Sequence, residues 1–155
     1  MKKLMTIDPG ANGGIAYHAL SGCVKTCKMP DGMTEQADEL RSIIIDNKIT
    51  TCYIEKAGSY MPGNSATAAV KFARHCGHLE AILYMLSVRT MQVTPNVWMR
   101  GVFGDTLPKD KTQRKNAIKE EMARRFPYLK VTLSTSDALG ILEYAEKTEG
   151  VTCTR

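Results

Sequence analysis

Three carboxylates stand where solvated surface acids usually do not. Asp8 closes the apolar stretch that runs through Leu4 and Ile7, Glu55 follows Tyr53-Ile54, and Asp137 precedes Ala138-Leu139. If the strand before Asp8 is central and the strand before Glu55 lies beside it, both acids project into one cleft. A later helix can then bring Asp137 over them. Crowded carboxylates repel one another unless cations lie among them. Oxygen donors are what Mg²⁺ or Mn²⁺ prefer. Two such ions about 4 Å apart activate a water and stabilise a leaving oxygen in phosphodiester cleavage, a chemistry that needs no protein nucleophile. Each acid also has a structural reading. Asp8 before Pro9-Gly10 can initiate a turn, and Glu55 can be an ordinary acid at a strand end. Ser134-Thr135-Ser136-Asp137 resembles a capping box, and an acid in a first helical turn is favoured by the helix dipole. Taken singly, the residues leave both readings open.

The elements that must position these acids are legible from hydrophobic period and turn residues. Residues 3–7, 15–20 and 23–29 read as strands joined by the turn cluster Pro9-Gly10-Ala11-Asn12-Gly13-Gly14 and by Ser21-Gly22. Such short connections make the three antiparallel neighbours. A helix is expected from Thr34, as cap, to Asn47, with Ala37, Leu40, Ile43 and Ile44 on one face. Thr51 to Glu55 is a strand, Gly58 to Gly63 a loop, and Asn64 opens a long helix to about Leu86. An apolar stripe of Ala69, Phe72, Ala73, Cys76, Leu79, Leu83 and Leu86 runs along that helix. Thr90 to Thr94 reads as a fifth strand stopped by Pro95, and Trp98 to Pro108 as irregular. Thr112 to Phe126 and Ser136 to Lys147 complete the chain as helices. The order βββαβαβαα implies an α/β fold, a five-stranded mixed sheet with helices on both faces.

A chain of 155 residues with 43% hydrophobic and 24% charged residues reads as one globular domain, spanning 1–155. No run reaches bilayer length, and an acid at position 8 leaves no apolar signal region. A cytoplasmic setting, with no membrane partner, is therefore expected. The five cysteines include no Cys-x-x-Cys pair, which argues against a disulfide framework or a zinc ribbon. His75-Cys76-Gly77-His78 lacks the i, i+4 spacing of helical chelation, so helix packing is its default reading. The net charge of +5 is local: Arg100 to Lys130 holds nine Lys/Arg against four acids, an excess equal to the whole net charge. A basic segment on an otherwise balanced domain points to a polyanion, or else to a solvated helix.

Several motifs, in order, resemble one family. Ile7-Asp8-Pro9-Gly10 with Gly14-Ile15-Ala16, then Tyr53-Ile54-Glu55 with Asn64-Ser65-Ala66, are similar to the first two acidic motifs of the RuvC family of Holliday junction resolvases. Val93-Thr94-Pro95 with Trp98-Met99-Arg100-Gly101 resembles a valine-proline segment seen especially in bacteriophage versions. Ser136-Asp137-Ala138-Leu139 resembles the closing Asp-Ala-Leu motif. The resemblance covers nearly the whole chain and implies a ribonuclease H-like fold. It further implies a homodimer that cuts four-way DNA junctions symmetrically, in the cytoplasm of a bacterial or phage-infected cell. Asp8, Glu55 and Asp137 would bind two divalent ions, Mg²⁺ or Mn²⁺, and the helix from Asn64 would pack against its mate. The loop holding Tyr60 and Met61 would lie near the junction centre, where an aromatic can stack on opened bases.

One position departs from the family. A fourth ligand, Asp or His, is common three residues before the closing Asp, on the same helical face. Here it is Ser134, a neutral hydroxyl, which implies a ligand acting through water or a weaker second ion site. Glu143 is too far round the helix to replace it. Lys109, Lys111, Arg114 and Lys115, together with Arg100, are expected to grip DNA arms near a helix start that receives phosphates well. One of the lysines would stabilise charge at the scissile phosphate. Rival readings are a ribonuclease H-fold nuclease for forks, flaps or RNA–DNA hybrids, and a junction-binding protein weak in catalysis. An actin-like ATPase is disfavoured, because the chain is too short for two such domains.

Overall fold

The computed structural model describes residues 2–56, 65–151 and 153. Strands β1 (Leu4–Asp8), β2 (Gly14–His18) and β3 (Val24–Lys28) form an antiparallel meander. Helix α1 (Met33–Asn47) then returns the chain to β4 (Thr51–Glu55), and α2 (Ala66–Met85) returns it to β5 (Arg89–Val93). β4 runs parallel to β1, and β5 parallel to β4. The sheet order β3-β2-β1-β4-β5 places β1 at the centre. Helices α3 (Pro95–Phe103), α4 (Lys111–Arg125) and α5 (Leu133–Glu149) close the chain.

The two-residue period of a strand sends alternate side chains to opposite faces. Met5, Ile7, Cys52 and Ile54 pack with Leu40, Ile43, Leu79 and Leu83 of α1 and α2. Leu4, Ala16 and Tyr53 pack on the other face with α3, α4 and α5, through Trp98, Ile118, Met122, Leu139 and Leu142. The sheet thus separates two apolar cores, and the mixed α/β architecture expected from the sequence is the one observed. Among the described residues no helix is long and apolar enough to cross a membrane.

Four local expectations are corrected. Of the segment Trp98 to Pro108, read as irregular, residues 98–103 belong to helix α3 and residues 104–108 are non-helical. Pro95 takes the first helical position, where its missing N–H costs nothing, and it starts a helix as well as stopping a strand. Helix α1 begins at Met33 behind Gly32, one residue before the Thr34 expected as its cap. Helix α5 begins at Leu133, capped by Thr132 in a reciprocal box with Thr135, so Asp137 lies beyond the capping turn. In α2 only Leu79 and Leu83 of the apolar stripe are buried, and Ala69 and Ala73 are exposed.

Candidate active site

Parallel neighbours end at the same edge of a sheet. The register pairs Ile7 with Ile54, so Asp8 and Glu55 are the next residues on adjacent strands. Counting by twos from Leu4 and Tyr53 puts both acids on the face that α5 covers. Close approach of α5 is made possible by β2. A Cβ on Gly14 would lie 2.3 Å from the Ser134 carbonyl oxygen, so only glycine lets the first turn of α5 rest there. The Thr6 hydroxyl donates to the Ala138 carbonyl at 2.7 Å and fixes the next turn. Together these contacts carry Asp137 to the sheet edge.

The three carboxylates feel one another. Burial first, then the charges of Glu55 and Asp137, raise the Asp8 carboxyl to about 8 against the opposing Lys115. Burial also raises Glu55, against a lowering hydrogen bond from Trp98. Asp137 is raised by burial and lowered by Lys115 and Arg114. The Lys115 ammonium stands 3.8 Å from Asp137 Oδ2, while Asp137 Oδ1 is buried without a hydrogen-bond partner. The Trp98 indole N–H donates to Glu55 Oε2 at 2.7 Å. Among the described residues no three His, Cys, Asp or Glu side chains converge tightly enough to enclose an ion together. The donor set still fits a hard divalent cation in kind: three mutually repelling carboxylates, one with an orphaned oxygen, whose shared countercharge is a single lysine.

Ser134 lies half-buried one turn before Asp137, as its spacing predicts. Glu143 is buried with Arg125 3.3 Å away, remote from the role of a substitute ligand. Arg100, Lys109 and Arg114 line one groove of about 650 Å³ between α3 and the start of α4, with Met99 and Leu107. Arg114 also donates to the Lys109 carbonyl at 2.8 Å. Lys111 is exposed at the first position of α4. Lys115 faces the carboxylates, outside the residues that line the groove. The α4 N-terminus differs from expectation as a phosphate receptor, because the Asp110 carboxylate already caps it by accepting from the Gln113 amide at 2.9 Å. Tyr60 and Met61 lie outside the described residues.

Trp98 is the residue that sequence reasoning missed. Its signal was the apolar i, i+4 pair Trp98 and Val102 following Thr94-Pro95, a helix start rather than a loop.

No family model matches the sequence, and no curated protein matches it. Among solved structures the chain is similar to Thermus thermophilus RuvC, with 13% identity and a TM-score of 0.63, over 98% of this chain and 99% of that one. It is also similar to T. thermophilus RuvC in complex with a Holliday junction substrate, with 12% identity and a TM-score of 0.64, over 99% and 100% of the two chains. The Fowlpox virus resolvase in complex with substrate Holliday junction DNA aligns at 11% identity and a TM-score of 0.51, over 94% and 98%. At these identities the likeness is one of fold. The chain has the ribonuclease H-like fold of RuvC-type and poxvirus Holliday junction resolvases.

Proposed function

We propose that the protein is a structure-selective endodeoxyribonuclease that resolves four-way or other branched DNA junctions by divalent-ion-dependent phosphodiester hydrolysis. The observation that carries this reading is that Asp8, Glu55 and Asp137 are buried and coupled at one sheet edge, with Arg114, which lines a groove with Arg100 and Lys109, acting on Asp137. If bound, a Mg²⁺ or Mn²⁺ pair would supply a nucleophilic water and charge neutralisation at the leaving oxygen. Asp8, Glu55 and Asp137 are the residues to hold such ions, with Ser134 contributing through water. Lys115, 3.8 Å from Asp137, is assigned to charge stabilisation at the scissile phosphate. Arg100, Lys109, Lys111 and Arg114 take the backbone of the DNA arms, and Tyr60 and Met61 are assigned to the junction centre.

The active unit is proposed to be a homodimer across α2. Exposed Ala69 and Ala73 of its apolar stripe support this, together with Val70 and Met85 at 67% and 78% exposure. The setting is the cytoplasm of a bacterial or phage-infected cell. A labelled four-way junction incubated with wild type and Asp8→Asn, with and without Mg²⁺, tests the proposal. Paired nicks by wild type in Mg²⁺ alone are expected. Equal cleavage by the Asp8→Asn protein overturns the assignment. Matched forked and RNA–DNA hybrid substrates separate junction resolution from other nuclease targets. Ser134 and the lysine among the acids favour a second reading, a junction binder weak in catalysis. That protein retains four-way DNA in EDTA and does not nick it in Mn²⁺.

A further inference from the structure

Trp98 is the only tryptophan in the chain, and its ring is 1% exposed. Its place is cut by a glycine: a Cβ on Gly140 would stand 2.5 Å from the ring. Phe103 meets the indole edge to face at 6.4 Å between centroids, and Arg125 caps Phe103 at 5.7 Å. The ring therefore has little freedom to turn. Its N–H is a donor only, with no alternative acceptor role, and leaving it unpaired at this depth carries a desolvation penalty. It donates to one named oxygen of Glu55, at a distance typical of a charge-assisted bond.

We propose that Trp98 is a positioning residue that makes Glu55 a one-oxygen ligand, and so biases the site toward a small octahedral cation and against Ca²⁺. The inference rests on the metal-dependent reading above. With Oε2 engaged by the indole, a chelating carboxylate grip is disfavoured and Glu55 offers its remaining oxygen. Mg²⁺ and Mn²⁺ accept such single-oxygen contacts within six-fold geometry, whereas Ca²⁺ draws on six to eight oxygens and commonly takes carboxylates in bidentate fashion. Gly140 and Phe103 hold the indole that holds the carboxylate.

The test compares Mg²⁺, Mn²⁺ and Ca²⁺ binding by titration calorimetry for wild type, Trp98→Phe and Glu55→Gln. In Trp98→Phe, Mg²⁺ affinity is expected to fall about 10-fold, the lower end of what removing a ligand-orienting partner costs. Ca²⁺ affinity is expected to hold or rise, so the preference for Mg²⁺ narrows by a similar factor. A folded Trp98→Phe protein with wild-type affinities for all three ions overturns the proposal. A second readout needs no tryptophan variant. The single ¹⁵N-indole cross-peak of the metal-free protein is expected to move on Glu55→Gln and again on adding Mg²⁺. An indole resonance unchanged by Glu55→Gln overturns the positioning bond, even if Trp98→Phe does not fold. If wild type and Glu55→Gln bind the ions equally weakly, the metal-dependent reading fails instead, an outcome distinct from both.

Discussion

Asp8 carries a heavy electrostatic burden, being buried beside two other acids with one lysine in opposition. A residue held for chemistry at the expense of stability behaves predictably when neutralised. Asp8→Asn is expected to raise metal-free stability by about 1–2 kcal/mol at pH 8, a typical gain from relieving an unfavourable site, read as a higher melting temperature in EDTA. A lower melting temperature than wild type would instead make Asp8 a structural turn former. Asp8 and Glu55 were legible in the sequence because strand ends are marked by period two and by turn residues. The placement of Asp137 was less so, since serine and threonine at 132, 134, 135 and 136 offer several equivalent caps. The structure chooses Thr132 with Thr135, which removes the capping explanation for Asp137. Trp98 was hidden because nothing in the spacing tells which carboxylate a buried indole will reach.

At the scale of elements, α5 is anchored at both ends. Its first turns rest on Gly14 and Thr6. Near its C-terminus Glu149 accepts from Lys2 at 2.7 Å, Arg89 at 2.8 Å and the Tyr53 hydroxyl at 2.8 Å. These donors hold the Glu149 carboxyl down at about 2 from an ordinary 4.5. A lowered folded value stabilises the native state above the unfolded value, and the contribution is lost as pH falls toward the folded one. Glu149→Gln should therefore cost about 1–2 kcal/mol at pH 7, discounted because Lys2 and Arg89 are half in water. The difference from wild type should vanish between about pH 5 and pH 2, as followed by urea denaturation across that range. A constant difference would assign the effect to packing. The elements themselves were mostly readable, because long amphipathic periods and β-branched runs are local signals. Helix α3 was not, since a proline at a strand end looks the same whether it terminates or initiates. The half-exposed stripe of α2 was not either, since period reveals an apolar face but not what covers it.

For the whole molecule, the local charge excess read from composition is divided: three of its nine cations line one groove and Lys115 faces the acids. Arg100, Lys109 and Arg114 line the groove, and DNA binding there should release counterions. Replacing all three with Gln is expected to flatten the dependence of log binding constant on log salt by about 2–3, near 0.9 for each phosphate left without its cation. Filter binding of a four-way junction in EDTA measures this without cleavage. An unchanged slope would place the DNA elsewhere. The charge excess was visible in the sequence, but its division was not. Arg114 and Lys115 are adjacent in a helix, yet one lines the groove and the other faces Asp137.

The central sheet keeps two apolar cores apart, and this has a thermodynamic consequence. Leu79 and Leu83 belong to one core and Ile118 and Met122 to the other, so perturbations in the two groups should sum rather than interact. The exceptions are β1, β2 and β4, whose alternate residues belong to both sides. A change in Met5 or Ile54 is felt by α1 and α2 and, one residue along the same backbone, by Thr6, Tyr53 and Glu55. The two strands that carry Asp8 and Glu55 therefore lie, with β2, on the molecule's epistatic axis, and the helical layers on either side are free to vary independently.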